Sequence, residues 1–204
     1  MEYISHLSKD KKLAKLIAQH EAFTLKSHKN ICLRLCASIM SQQLSTKVAQ
    51  VLYRRFLEIY DGNEPTPEQI VATPFEKIRA IGMSNAKTQY VLNVARFAID
   101  HKISDKKLQK MNDDEIIELL TQIKGVGRWT VEMLLMFTLG REDLFSIDDY
   151  GLQTAMKKLY KIEDASKKEF KEKLLKISEK WSPYRTYACL HLWHWKDNAP
   201  VLEK

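Results

Sequence analysis

Apolar residues recur at helical spacing through nearly the whole chain. Leu13, Leu16 and Ile17 mark a first short helix, Ile31, Leu35 and Ile39 a second, and Val48, Val51, Leu52, Phe56 and Ile59 a third. Thr66-Pro67-Glu68-Gln69 and Thr73-Pro74-Phe75-Glu76 each read as a helix start, with Thr at the N-cap, Pro at the first helical position and Gln or Glu at the third. Beyond Gly82 a longer helix runs through Val91, Val94, Ala95 and Ala98, and Asn112-Asp113-Asp114-Glu115 caps another carrying Ile116, Leu119, Leu120 and Ile123. From about Arg128 to Leu139 the pattern is apolar on nearly every side (Val131, Met133, Leu134, Leu135, Met136, Phe137), which predicts a central buried helix. Asp148 or Asp149 opens a helix through Leu152, Met156 and Leu159. A charged amphipathic helix spans about Ser166 to Trp181, and Ser182-Pro183 starts the last one.

Composition agrees with an all-α reading. Six glycines and five prolines in 204 residues leave little punctuation for the turns of an all-β protein, and 45% apolar with 29% charged residues is globular composition. The 33 basic residues exceed the 26 acidic ones, and a net charge of +7 suits a polyanionic partner. The opening MEYISHLSKDKK is charged where a secretory signal would turn apolar, and no run approaches a membrane span. A soluble protein of the cytoplasm (nucleoid-associated) or nucleus is therefore expected, not a secreted one. Cys32, Cys36 and Cys189 are too few for a four-cysteine metal site and suggest buried thiols. His191 and His194 lack partners at ligand spacing, so no metal held by side chains is expected.

Chemistry concentrates in Leu120-Thr-Gln-Ile-Lys-Gly-Val-Gly-Arg-Trp-Thr-Val-Glu-Met133, where Gly125-Val126-Gly127 joins two apolar helices. Glycine permits positive φ and close backbone approach, and the second helix begins at the hairpin, so its unpaired amides and positive dipole end can hold a phosphate. This is a helix-hairpin-helix, spanning about residues 114–139. Gly-x-Gly alone is also consistent with a plain tight corner, and neither a Walker loop nor a dinucleotide fingerprint is present. Downstream, Asp143-Leu-Phe-Ser-Ile-Asp-Asp-Tyr150 places Asp149 at a helix start, 20 residues after Trp129.

The hairpin followed by this aspartate resembles the helix-hairpin-helix DNA glycosylase superfamily. Ser41-Gln-Gln-Leu-Ser45, Gly82-Met-Ser-Asn-Ala-Lys87 and Trp181-Ser-Pro-Tyr-Arg-Thr-Tyr-Ala-Cys-Leu-His-Leu-Trp193 are similar to its 3-methyladenine DNA glycosylase II branch, so that the likeness covers about residues 30–195. An N-terminal β-rich lobe, often carried by that branch, has no counterpart here. The resemblance implies two helical lobes, residues 30–140 and residues 1–29 with 141–204, and an active cleft between them.

It also implies roles. Asp149 would be the catalytic carboxylate, stabilising an oxocarbenium-like sugar or orienting the attacking water, while Asp148 would be a cap or hydrogen-bond acceptor. Trp129 and Trp193 would stack on a cationic base, with Met133 where some relatives have tyrosine. Tyr150, Tyr187, Trp181 and Trp195 are expected to be structural. Gln43 would fill the vacancy left by a flipped nucleotide, with Gln42 beside it and Met83 or Asn85 as the wedge. Gly125, Val126, Gly127 and Arg128 would anchor phosphate, with a monovalent cation at the hairpin backbone as a further option.

The resulting expectation is a monomeric, cofactor-free, monofunctional glycosylase that excises alkylated purines such as 3-methyladenine from double-stranded DNA. Two other functions stay open. An oxidised-base glycosylase with lyase activity would carry a lysine where this chain has Trp129, and a non-catalytic helix-hairpin-helix binding protein would have no need of Asp149.

Overall fold

The computed structural model describes residues 1–163 and 166–198, which contain thirteen α-helices and no strand. They group into two units, Ser27–Leu139 and Met1–Lys26 with Gly140–Lys204.

In the unit formed by residues 27–139, α3 (Ile31–Ser41) buries Ile31, Leu35 and Ile39 as the spacing predicts, together with Leu33, Cys36 and Met40. It packs against α4 (Thr46–Glu58), α7 (Asn85–Asp100) and α10 (Arg128–Phe137). Between these lie α5 (Pro67–Ala72), α6 (Phe75–Arg79), α8 (Asp105–Gln109) and α9 (Asp113–Leu120), the last against α10. The capping boxes read at Thr66/Gln69 and Asn112/Glu115 both form. At the second Thr-Pro the start slips by one residue, because the Thr73 hydroxyl donates to the Gln69 carbonyl (2.8 Å) instead of capping, and Pro74 takes the N-cap position. Helix α10 is the central element predicted, with Val131, Leu134, Leu135 and Met136 buried. It is not apolar-buried all round: Trp129 and Phe137 stay 46% and 44% exposed.

The other unit contains α1 (Glu2–Leu7), which the apolar spacing did not reveal, α2 (Lys11–Ile17), α11 (Tyr150–Tyr160), α12 (Lys167–Ser178) and α13 (Arg185–Asn198). A 3-10 turn, Glu179–Trp181, ends the charged helix early, and Pro183 follows in a cis peptide instead of starting α13. Helix α13 packs on α11 and α2. Asp10 ties this unit together: its Oδ1 caps α2, and its Oδ2 accepts from the Tyr160 hydroxyl (2.6 Å) and Trp181 Nε1 (3.3 Å). The irregular segment before α11 is strapped to the start of α13. Arg185 forks onto the Asp143 carboxylate (2.7 and 3.1 Å), while the buried Thr186 hydroxyl donates to the Arg141 carbonyl (2.7 Å) and accepts from Leu144 N–H (3.0 Å).

Further along α13, His191 is wholly buried among Tyr3, His20, Phe23 and the neighbouring His194. Its Nδ1 lies 3.2 Å from His20 Nδ1, and its Nε2 has no hydrogen-bonding partner. Burial, with His20 and His194 adding like charge, pushes its pKa down to about 4. The unfolded chain, with histidine near its ordinary 6.5, therefore takes up the proton first. Stability from this site is full above about pH 6.5 and is lost as pH falls toward about 4. Thermal melting should show a midpoint that declines across that window, more steeply than in His191→Phe; equal slopes in the two proteins would refute the assignment.

Candidate active site

The hairpin is built by one steric demand and one omission. Gly125 has φ of +104°, and a Cβ there would fall 2.2 Å from Cγ of Tyr90, whose ring lies under the turn. Asn93 of the same helix holds the Lys124 carbonyl (3.2 Å). No such crowding exists at Gly127, where a side chain would meet open space. Gly127 is the N-cap of α10 and offers no side-chain acceptor, whereas α3, α4, α7, α9, α11 and α12 are all capped by a side chain. The first turn of α10 thus receives no cap from Gly127, a helix start of the kind that can accept a phosphate oxygen.

Two of the residues expected to anchor phosphate have partners within the protein. The Val126 N–H is engaged by the Ile123 carbonyl (2.9 Å) and its side chain is buried, so it supplies the turn and not a donor. Arg128 is half-exposed, but its Nε donates to Glu132 Oε1 (2.9 Å), a carboxylate only 3% exposed that sequence reasoning did not single out. Its guanidinium is oriented from below by that carboxylate, with charge still facing outward.

The exposed stripe of α10 has spacing i, i+4, i+8: Trp129, Met133 and Phe137. These three line a pocket of about 480 Å³ whose other wall includes Gln42, Gln43 and Leu44, the turn that follows α3. The structure therefore brings Trp129, Met133, Gln42 and Gln43 to one pocket and adds Phe137, whereas Trp193, expected beside Trp129, is not among its lining residues. Met83 corrects one expectation. At 6% exposure it belongs to the core, so of the two wedge candidates only Asn85 is exposed, accepting a 2.5 Å bond from Arg79 Nε.

In the other unit Asp149 is the N-cap of α11 and is 9% exposed. Its Oδ1 accepts from the Leu152 N–H at 2.8 Å and from Trp193 Nε1 at 2.9 Å. Trp193 thus orients the carboxylate, a role the stacking expectation did not contain. Asp148 is exposed and pairs with Lys171; the cap belongs to Asp149. Gly151 is a further residue that sequence reasoning missed. A Cβ on it would lie 3.0 Å from Lys196 Cε, 3.1 Å from Asp149 Oδ1 and 3.3 Å from Trp193 Cδ1, so its hydrogen is what lets α13 sit against the start of α11. Tyr150, expected to be structural, is 81% exposed, whereas Trp181 and Tyr187 are buried. Among the described residues no group of His, Cys, Asp and Glu is arranged to hold a metal ion.

The family model for "HhH-GPD superfamily base excision DNA repair protein" matches residues 36–180. The chain belongs to the HhH-GPD superfamily. Among HhH-GPD relatives it is 37% identical over 185 residues to DNA-3-methyladenine glycosylase 1 of Schizosaccharomyces pombe, covering 90% of this chain and 80% of that one. A solved 3-methyladenine DNA glycosylase of the same yeast, in complex with abasic DNA, superposes with a TM-score of 0.82 at 34% identity over 98% of both chains. A DNA-3-methyladenine glycosidase of Bacillus halodurans gives 0.84 at 33% identity over 97% of this chain and 90% of that one.

The geometry around Asp149 makes a specific prediction for an HhH-GPD protein. Trp193→Phe keeps the apolar ring and deletes the N–H donor, and Gly151→Ala presses on both carboxylate and indole. Each should slow base release from DNA on the order of tenfold or more while leaving abasic-duplex affinity nearly unchanged. Wild-type release rates in Trp193→Phe would show that the 2.9 Å bond does not matter to the chemistry.

Proposed function

We propose that this protein is a monofunctional DNA glycosylase that removes N-alkylated, cationic purines such as 3-methyladenine from double-stranded DNA, leaving an abasic site. The observation that carries the reading is the Asp149 carboxylate, held at the N-terminus of α11 by two donors on one oxygen, in a chain of the HhH-GPD superfamily. Breaking the N-glycosidic bond builds positive charge on the sugar, and a fixed carboxylate stabilises that charge without having to reorganise. An N-alkylated purine already carries positive charge and leaves without a proton donor. Selectivity can therefore rest on electron-rich and apolar surfaces, which is the chemistry of the Trp129, Met133 and Phe137 wall. The names of the yeast and bacterial relatives support the same substrate class.

The bare N-terminus of α10, with the outward charge of Arg128, suits the phosphate backbone, and Gln43 at the head of an exposed turn suits the hole left by the flipped nucleotide. Strand cleavage would need an unprotonated amine at the sugar. The position that would supply it in a lyase is Trp129, and a lysine stem that lies over Gly151 in the first turn of α11 is that of Lys196.

A panel of duplexes, each carrying one modified base, tests the proposal. Release should be fastest for 3-methyladenine and 7-methylguanine and negligible for 8-oxoguanine, with the product strand intact until treated with alkali. Borohydride present during turnover should trap no covalent adduct. Preferential release of 8-oxoguanine, or trapping abolished by Lys124→Ala or Lys196→Ala, would overturn it.

A further inference from the structure

The Gln42–Gln43 turn leaves α3 in a conformation that needs outside support. Helix ends carry carbonyls with no intrahelical partner, and here the chain does not continue into a glycine turn: Gln43, exposed and not a glycine, has φ of +60°. Within the turn itself, Gln42 N–H bonds to the Ile39 carbonyl (3.3 Å) and Leu44 N–H to the Ser41 carbonyl (3.1 Å). Neither bond satisfies the carbonyls of Met40 and Gln42.

Both are met by one side chain from a distant helix. Lys87 occupies the first turn of α7, where Ser84 caps its own N–H, and its ammonium donates to the Met40 carbonyl at 3.0 Å and to the Gln42 carbonyl at 2.5 Å. A cation is the right group for this place, since the C-terminal end of α3 concentrates partial negative charge. The residue is half-buried, and burial lowers its pKa from the usual lysine value. Its reach is specific: Met40 lies in the last turn of α3 and Gln42 just beyond it, so the ammonium fixes the angle at which the chain leaves the helix and enters the left-handed residue Gln43.

We infer that Lys87 is a positioning residue, clamping the exit of α3 so that Gln43 is presented in one conformation to the DNA. The inference rests on the assignment of Gln43 to the vacancy of the flipped nucleotide. A non-glycine residue at positive φ persists only where its surroundings hold it, and without the clamp the turn can relax to ordinary φ and carry the Gln43 side chain elsewhere. The cost would fall on nucleotide flipping and not on the phosphate grip, which comes from α10.

The test is a double-mutant cycle read by single-turnover release of 7-methylguanine from a duplex, with Lys87→Met, Gln43→Ala, their combination and Lys87→Arg. Lys87→Met should lower the maximal rate about tenfold while the enzyme concentration for half-saturation stays within about twofold, because the loss is in a step after binding. The double variant should be no slower than the slower single variant, since Lys87 acts through Gln43. Lys87→Arg, which keeps the charge and the donors, should recover to within about threefold of wild type and guards against a folding defect in Lys87→Met. A slowed Gln43→Ala beside a wild-type Lys87→Met would overturn the role of Lys87 alone, as would losses that multiply in the double variant. A wild-type Gln43→Ala would overturn the assignment of Gln43 itself, and with it the route proposed for Lys87.

Discussion

A carboxylate that works by its charge must stay in place as well as ionised, and the arrangement at Asp149 meets that condition with two N–H groups on a single oxygen. One comes from its own helix and the other from a tryptophan 44 residues away in the chain. Much of the surrounding unit follows from the second. For Trp193 to reach Oδ1, α13 must lie against the first turn of α11, and that approach exists because residue 151 has no side chain. The approach is fixed upstream by the Arg185 fork on Asp143 and by the buried Thr186 hydroxyl, which hold the irregular segment leading to Asp149. Helix α13 is in turn seated on α2, whose cap Asp10 also takes the Tyr160 hydroxyl and the Trp181 indole.

The N-termini of α11 and α10 present their first-turn amides in opposite ways. At α11 the cap is an aspartate, so the amides hold a negative charge that belongs to the protein. At α10 the cap is a glycine with open space beside it and no side-chain acceptor, which in the proposed function leaves room for a negative charge that belongs to the ligand. The first arrangement suits electrostatic stabilisation of a cationic transition state, and the second suits a backbone phosphate.

Features encoded by adjacent residues were legible in the sequence: the glycine hairpin, the capping boxes at Thr66 and Asn112, the apolar α10 and an aspartate at the start of α11. Features that depend on two distant segments meeting were not. Gly151 looks like a poor helix former until Trp193 and Lys196 are seen above it. The clamp of Lys87 on α3 joins residues more than 40 positions apart. Phe137 shares an apolar run with buried neighbours, and only packing tells which side of that run faces out. Met83 and Asn85 sit two apart at the start of α7, and burial separates them. At Thr73 a local signal was overridden, because a hydroxyl can bond back to the preceding turn as readily as forward to the next.

The most direct test compares Asp149→Asn with Asp148→Asn on a duplex carrying a single alkylated purine, measuring single-turnover release and binding of the same duplex. Asparagine keeps an acceptor for Leu152 N–H and Trp193 Nε1 but removes the charge, whereas position 148 is an exposed partner of Lys171. Asp149→Asn should lose on the order of a hundredfold or more in release, with lesion affinity retained, and Asp148→Asn should stay within a few-fold of wild type. Near-normal release by Asp149→Asn, or a larger loss in Asp148→Asn, would contradict the account.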